Sequence, residues 1–235
     1  VSISALYRHS LTLLLPNHCF LCDEPCSESL CTPCLQALPA LTSCCSTCAL
    51  PLASDGLCGE CQRQKPSFDG CICPYSYQEQ IPALINQFKH QRHIALGKLL
   101  AQTLAVKLRA TQAADELASS VLVPVPMHWR GLLSRGFNQA EVIAQELSKR
   151  LNLPLARAIR KKANTRHQQN LKRKQRLNNS RNLFVARTET AKKRILLVDD
   201  VMTTGATAEA ISAVLKQAGA EQVIVVALAR TPKNR

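Results

Sequence analysis

Four apolar residues in succession, Ile195-Leu196-Leu197-Val198, end at two aspartates, Asp199 and Asp200, and beyond Thr207 the spacing of apolar positions changes. An unbroken run of leucine and β-branched residues predicts a parallel strand buried on both faces, and such strands present ligands at their C-terminal ends. Ala208, Ile211, Val214, Leu215 and Ala218 then recur at helical spacing, and Gly219 stands where a C-terminal cap belongs. Thr203 to Thr207 is therefore predicted as a strand-to-helix loop. Upstream, Leu84, Ile85 and Phe88, then Leu96, Leu99, Leu100 and Leu104, predict two amphipathic helices leading into the sheet, and Glu141, Ile143 and Leu147 lie on a further one. The apolar run from Leu11 to Leu15 is too short for a signal-peptide core or a membrane span.

The predicted loop has a definite chemistry. Amides of a strand-to-helix loop and of the first helical turn converge with positive partial charge, Gly205 lets the backbone come close, and Thr203, Thr204 and Thr207 add hydroxyl donors around Ala206. A phosphate monoester suits such a loop. Asp199 and Asp200 would repel phosphate and are better placed to accept hydrogen bonds from two neighbouring ribose hydroxyls, directly or through a hydrated divalent cation. Phosphate beside a vicinal diol describes ribose 5-phosphate. An ordinary αβ connection with a capping aspartate needs one acidic residue and not this whole constellation. A Walker-type loop is disfavoured, because no Gly-x-x-x-x-Gly-Lys-Ser/Thr occurs.

All twelve cysteines lie between Cys19 and Cys73, and eight form Cys-x-x-Cys pairs: Cys19/Cys22, Cys31/Cys34, Cys45/Cys48 and Cys58/Cys61. Each pair can set two thiolates on one turn, and sequential pairs can close two tetrahedral Cys₄ sites for structural Zn²⁺. The competing reading is a disulfide-stapled secreted module, which an even cysteine count also permits. A segment this small buries little apolar surface, so bound metal would supply much of its folding free energy. Cys26, Cys44, Cys71 and Cys73 are read as small buried hydrophobes, with Cys44 a possible substitute for Cys45. Cysteine disappears near Pro74, which predicts two domains, 1–74 and 75–235.

The net charge of +14 is concentrated: between Glu146 and Glu189 there is no acidic residue, while thirteen lysines and arginines fall in that interval. Its centre, Lys161 to Asn182, has few apolar residues and is predicted as a long polar loop.

The strand, the two acidic residues and Thr-Thr-Gly-x-Thr resemble the phosphoribosyl diphosphate signature of type I phosphoribosyltransferases. Val121-Leu122-Val123-Pro124-Val125-Pro126, followed by His128-Trp129-Arg130 and by Arg135-Gly136-Phe137-Asn138-Gln139-Ala140-Glu141, is similar to the matching segment of the competence-associated ComF family. Thr165, Gln168, Leu171, Arg176, Asn179 and Phe184 fit that family's later block in spacing. One departure is Phe88-Lys89-His90-Gln91-Arg92, which lacks the glycine common after the family's lysine, so Lys89 is given no role.

The resemblance implies an α/β fold: a type I phosphoribosyltransferase-like parallel sheet flanked by helices, with an N-terminal double zinc ribbon. It implies a cytoplasmic protein using phosphoribosyl diphosphate with Mg²⁺. Asp199 and Asp200 would hold the ribose at the catalytic centre, and Thr203 to Thr207 the 5-phosphate. Arg130 and Arg135 would contact the diphosphate from a loop after Pro126, and Arg160, Arg166 and Arg176 would close over it from a lid. His128 is the residue there with general-acid chemistry, while Asn138 and Gln139 hold loop geometry or begin the next helix.

For the basic run, a solvated face, the diphosphate lid and a non-specific contact with single-stranded DNA all stay open. Aromatic residues are only 4% of the chain, which gives base stacking little support. Two function classes follow: a phosphoribosyltransferase whose acceptor the donor site does not identify, linked to DNA uptake or processing and to other competence or DNA-processing proteins, or a non-enzymatic single-stranded DNA binder using the donor site as a sensor.

Overall fold

The computed structural model describes residues 18–127, 129–161, 183–186 and 193–233, with the backbone alone at 129 and 130. Seven strands are present among them: β1 (Gly70–Ile72), β2 (Tyr75–Ser76), β3 (Ser120–Pro124), β4 (Ile159–Lys161), β5 (Phe184–Ala186), β6 (Arg194–Met202) and β7 (Gln222–Arg230). The main sheet is parallel throughout, in the order β1-β7-β6-β3, with β2 also on β7. β4 and β5 form a separate antiparallel ribbon. The helices are α1 (Thr32–Gln36), α2 (Gly59–Arg63), α3 (Ile81–His90), α4 (Ile94–Thr111), α5 (Ala114–Ala118), α6 (Trp129–Arg135), α7 (Gln139–Leu151) and α8 (Ala206–Gln217).

Alternation along β6 and β7 explains the apolar runs. Leu196 and Val198, with Ile224, Val226 and Leu228, face one core that includes Leu84, Phe88, Leu100, Leu104, Ile143 and Leu147 of α3, α4 and α7. Ile195 and Leu197, with Val223, Val225 and Ala227, face a second core that takes in Ile211 and Leu215 of α8 and Phe184 of the ribbon. Both faces are covered, so the strands are apolar throughout instead of alternating with polar residues.

The helices at Leu84–Phe88 and Leu96–Leu104 form as the spacing predicts. Two boundaries differ. β6 runs on to Met202, because β7 continues beside it and pairs Asp199 with Ala227, Val201 with Ala229 and Met202 with Arg230. The aspartates therefore lie within the C-terminal half of the strand, with Val201 and Met202 still to follow. α8 starts at Ala206, so Ala206 and Thr207 belong to its first turn, and the loop proper is Thr203–Gly205. At the far end Gly219 takes up φ 91, the left-handed conformation of a helix terminator.

The cysteine-rich segment does not stand apart from the sheet. β1, on the N-terminal side of Pro74, is an edge strand of the main sheet. Cys19, Leu30 and Leu38 join the first core, whereas Leu41, Cys45, Cys48 and Cys58 join the second. The amide of Ser76 donates to Pro39, and that of Leu41 to Pro74. Among the described residues no helix is long and apolar enough to cross a membrane.

One close packing site can be tested directly. A Cβ added at Gly97 of α4 would lie 2.4 Å from Cε2 of the fully buried Phe88 ring on α3. Alanine normally favours a helix by up to about 1 kcal/mol over glycine. Here the overlap should win, and Gly97→Ala should destabilise the protein by about 1–3 kcal/mol in thermal or urea unfolding. Gly59→Ala, whose Cβ would have Arg63 Nη2 at 4.0 Å as its nearest neighbour, should be neutral.

Candidate functional site

The eight predicted cysteines form two tetrads, Cys19-Cys22-Cys31-Cys34 and Cys45-Cys48-Cys58-Cys61, in each of which the Sγ atoms all lie within 4.8 Å of one another. Four thiolates around Zn²⁺ at 2.3 Å are separated by about 3.8 Å. Cys22 and Cys31 stand at 3.7 Å and Cys48 and Cys58 at 3.6 Å, so the donors fit this ion in number, type and spacing. Cys45 completes the second tetrad, and Cys44 lies outside it. Of the other cysteines, Cys71 and Cys73 are buried, while Cys26 and Cys44 are partly exposed.

The two tetrads are built alike. A left-handed residue follows each first pair, Asp23 after Cys22 and Ala49 after Cys48. Cys31 and Cys58 are the N-caps of α1 and α2, which puts Cys34 and Cys61 inside those helices. Burial works against ionisation of Cys19 and Cys45. Amide donors outweigh it, those of Cys31, Leu21 and Cys22 on Cys19 and of Cys58, Cys48 and Thr47 on Cys45, and hold both thiols down at about 6.

Near the C-terminal end of β6 the first aspartate and the loop come together: Asp199, Thr203, Gly205, Ala206 and Thr207 line one cleft. Gly205 is the N-cap of α8 with φ 78, where any side chain is strained, and an added Cβ would lie 3.1 Å from Met202 Cε. Thr204 Oγ1 accepts from the Ala206 amide at 3.3 Å, and the Gly205 carbonyl receives the Glu209 amide at 2.8 Å. Asp199 Oδ1 accepts from the Asp200 amide at 2.9 Å, and Asp200 Oδ1 from the Val201 amide at 2.6 Å.

Lys89, at the end of α3, reaches Asp200 Oδ2 with its Nζ at 2.8 Å. Sequence reasoning set this residue aside because no glycine follows it. In this chain the backbone turns left-handed nearby at a non-glycine residue, Arg92 with φ 58. The lysine at the family's position was the available signal. Two carboxylates and one ammonium share the strand end, and their oxygens are hard donors suited to hydroxyls or hydrated Mg²⁺.

Asp199 is only partly open to solvent. Burial, then the neighbouring Asp200 carboxylate, push it up to about 7, against the opposing pull of the Asp200 amide and Lys89.

The other predicted contacts are less concentrated. The segment after Pro126 includes a short helix, α6, where a loop was expected: Trp129–Arg135 is helical, so Arg130 lies in its first turn and Arg135 in its last. Arg135 Nη1 lies 3.4 Å from Gln139 Oε1. Arg160 is exposed on β4, at the base of the segment predicted to be a lid. Arg166, Arg176 and His128 fall outside the described residues. Among the described residues no hydrogen bond or ion pair joins Arg135 or Arg160 to the aspartates or the loop. Asn138 does start the next helix: its Oδ1 accepts from the Ala140 amide at 3.1 Å and its Nδ2 donates to Val125 at 3.0 Å.

Two expected outcomes follow from these geometries. Elemental analysis of protein purified under reducing conditions should find about two zinc ions per chain, and Cys34→Ser should lose one of them. Asp199 should set a pH dependence of stability. Its folded value near 7 lies above the ordinary 3.8, so the stability it contributes is complete below about pH 4 and is lost as the pH rises through 7. The gain in Tm of Asp199→Asn over wild type should therefore be larger at pH 8 than at pH 5, by the equivalent of about 1–3 kcal/mol. Lys89→Met should move the Asp199 titration, followed by carboxyl NMR, still higher.

Comparison with known proteins agrees with this architecture. Residues 131–235 match the phosphoribosyl transferase domain family and residues 10–62 the double zinc ribbon domain family. Competence protein F of Haemophilus influenzae is 35% identical over 178 residues, covering 74% of this chain and 78% of that protein. The DNA utilization protein YhgH of Salmonella typhimurium is 32% identical over 234 residues, covering 93% of this chain and 99% of that protein. Competence protein ComFC of Streptococcus pneumoniae is 27% identical over 157 residues, covering 66% of each. With both domain types matched in order, and relatives at this identity over most of their length, the chain belongs to the ComF family of competence and DNA-utilisation proteins.

Proposed function

We propose that the protein binds phosphoribosyl diphosphate with Mg²⁺ at the end of β6 and transfers its phosphoribosyl group to an acceptor in the service of DNA uptake or processing. The observation that carries this reading is the placement of Asp199 with Thr203, Gly205, Ala206 and Thr207 in one cleft, next in the chain to the Lys89-paired Asp200. Amides at the start of α8 and the threonine hydroxyls donate to the 5-phosphate, and the left-handed Gly205 keeps that surface clear of a side chain. Asp200, oriented by the Val201 amide and Lys89, and Asp199 beside it receive the ribose hydroxyls.

Mg²⁺, when bound with the donor, supplies charge neutralisation for the departing diphosphate. The chain's own share is to hold the ribose while positive charge develops at its anomeric carbon, which a carboxylate pair favours by proximity. A bound hydroxyl and a cation both favour the ionised Asp199, so donor binding draws its proton off. Arg130, Arg135, Arg160, Arg166 and Arg176 are the cations we assign to the diphosphate side. Cysteine tetrads that fit Zn²⁺ suit a cytoplasmic location. The names of the relatives, competence protein F and DNA utilization protein, support the link to DNA.

Phosphoribosyl diphosphate with Mg²⁺ should raise Tm, because a ligand that binds only the folded state stabilises it, by about 2.7 kcal/mol at a hundredfold excess over Kd. Asp200→Asn should weaken the shift and Gly205→Val should abolish it, with zinc content unchanged in both. Diphosphate release on addition of an acceptor would identify a transferase. Donor binding without release under any acceptor, together with salt-sensitive binding of single-stranded DNA, would favour a sensor. No shift at saturating Mg²⁺ would refute the donor site.

A further inference from the structure

Arg230 is the last residue of β7 and is 6% exposed. Its Nε donates to the carbonyl of Cys48 at 2.9 Å. Its Nη1 donates to the carbonyls of Met202 at 3.0 Å, Thr231 at 2.8 Å and Thr203. Cys48 belongs to the second tetrad, and Met202 and Thr203 are the end of β6 and the start of the donor loop. One buried side chain therefore joins the backbone of a cysteine in that tetrad to the backbone where the loop begins.

The loop's far end is held from the same direction. Ser67, a few residues beyond the second tetrad, donates its amide and its hydroxyl to the Glu209 carboxylate, each at 2.7 Å, and Glu209 lies in the first turn of α8. Lys233 Nζ reaches Glu60 Oε1 of α2 at 2.9 Å. The first tetrad packs elsewhere: Cys19 lies in the other core, and the Phe20 ring lies 5.9 Å from that of His93 at the start of α4.

Charge strengthens the connection. A guanidinium surrounded by carbonyls is solvated but not neutralised, and among the described residues no carboxylate pairs with Arg230. Zn²⁺ with four thiolates carries a net charge of about −2, which would stand beside this cation. Metal at the second tetrad thus fixes the Cys48 carbonyl that Arg230 grips and compensates the charge that grips it. Loss of the metal removes both effects.

We propose that zinc at Cys45-Cys48-Cys58-Cys61 controls the order of the Thr203–Thr207 segment, with Arg230 as the positioning residue that transmits it. Donor affinity then depends on the second ribbon's metal and not on the first's. The effect on affinity rests on the donor-site reading above; the effect on loop order does not.

The test is hydrogen exchange of peptides spanning 199–209 in the full-length, zinc-loaded chain, beside zinc content and titration with Mg²⁺ and phosphoribosyl diphosphate. Cys61→Ser should lose one zinc, speed exchange of the loop about tenfold and weaken the donor about tenfold. Cys34→Ser should lose one zinc and speed exchange only around the first ribbon. Arg230→Lys keeps the charge but not the forked donor geometry, so it should keep both zinc ions and still loosen the loop. Unchanged loop exchange in Cys61→Ser, or an equal rise in Cys34→Ser, overturns the proposal. If Cys61→Ser unfolds throughout, Arg230→Lys decides, and normal loop exchange in it is fatal. Wild type that binds no donor but shows this exchange pattern would remove the proposed function and leave the coupling intact.

Discussion

The pairing of β6 with β7 from Arg194–Gln222 to Met202–Arg230 is the constraint from which most of the structure follows. Both strands are buried on both faces, so two helical or ribbon layers must cover the sheet, and the first core with α3, α4 and α7 and the second with α8 and the second ribbon do so. The same pairing carries β6 past its apolar stretch and holds Asp199 and Asp200 on a rigid ladder instead of a free loop. A carboxylate fixed there cannot relax away from its neighbour or from the protein around it. That is why burial and Asp200 raise Asp199 so far, and why Lys89 is drawn across from α3.

The string Arg135-Gly136-Phe137-Asn138-Gln139 has a mechanical role that its composition alone does not announce. Gly136 adopts φ 81 between α6 and α7, and the Arg92 guanidinium lies 3.1 Å from where its Cβ would stand. Phe137 sets its ring 5.6 Å from that of Phe88, and Asn138 both caps α7 and ties it to Val125 after β3. The segment fastens the helix carrying Lys89 and the loop after β3 to one another. Its glycine, aromatic and amide are thereby accounted for by backbone geometry and packing.

Much of this was legible beforehand. The period change at Thr207, the apolar run at Ile195 and the Cys-x-x-Cys spacing are local signals, and they gave the strand, α8 and the pairing of cysteines. The ends of β6 and α8 were misjudged because the neighbouring strand and the Gly205 cap, not the sequence of the element itself, decide them. Lys89 and Arg230 escaped for a related reason. Each acts on a residue more than twenty positions away, Asp200 for the lysine and Cys48 and Met202 for the arginine, and no spacing rule spans such a gap. Arg230 did leave one trace, as a charged residue closing the apolar run Val223–Ala229.

The register Gly70–Ile224 to Ile72–Val226 joins edge strand β1 to β7, some hundred and fifty residues further along the chain. During synthesis the cysteine-rich segment emerges well before β7 and can close locally around metal, since each tetrad is drawn from a stretch of seventeen residues or fewer. β1 has nothing to pair with until β7 has been made, because no earlier strand occupies its place in the sheet. The nascent chain therefore passes through a stage in which finished ribbons wait beside an unpaired, apolar sheet edge, and exposure of that edge ends only when β7 arrives.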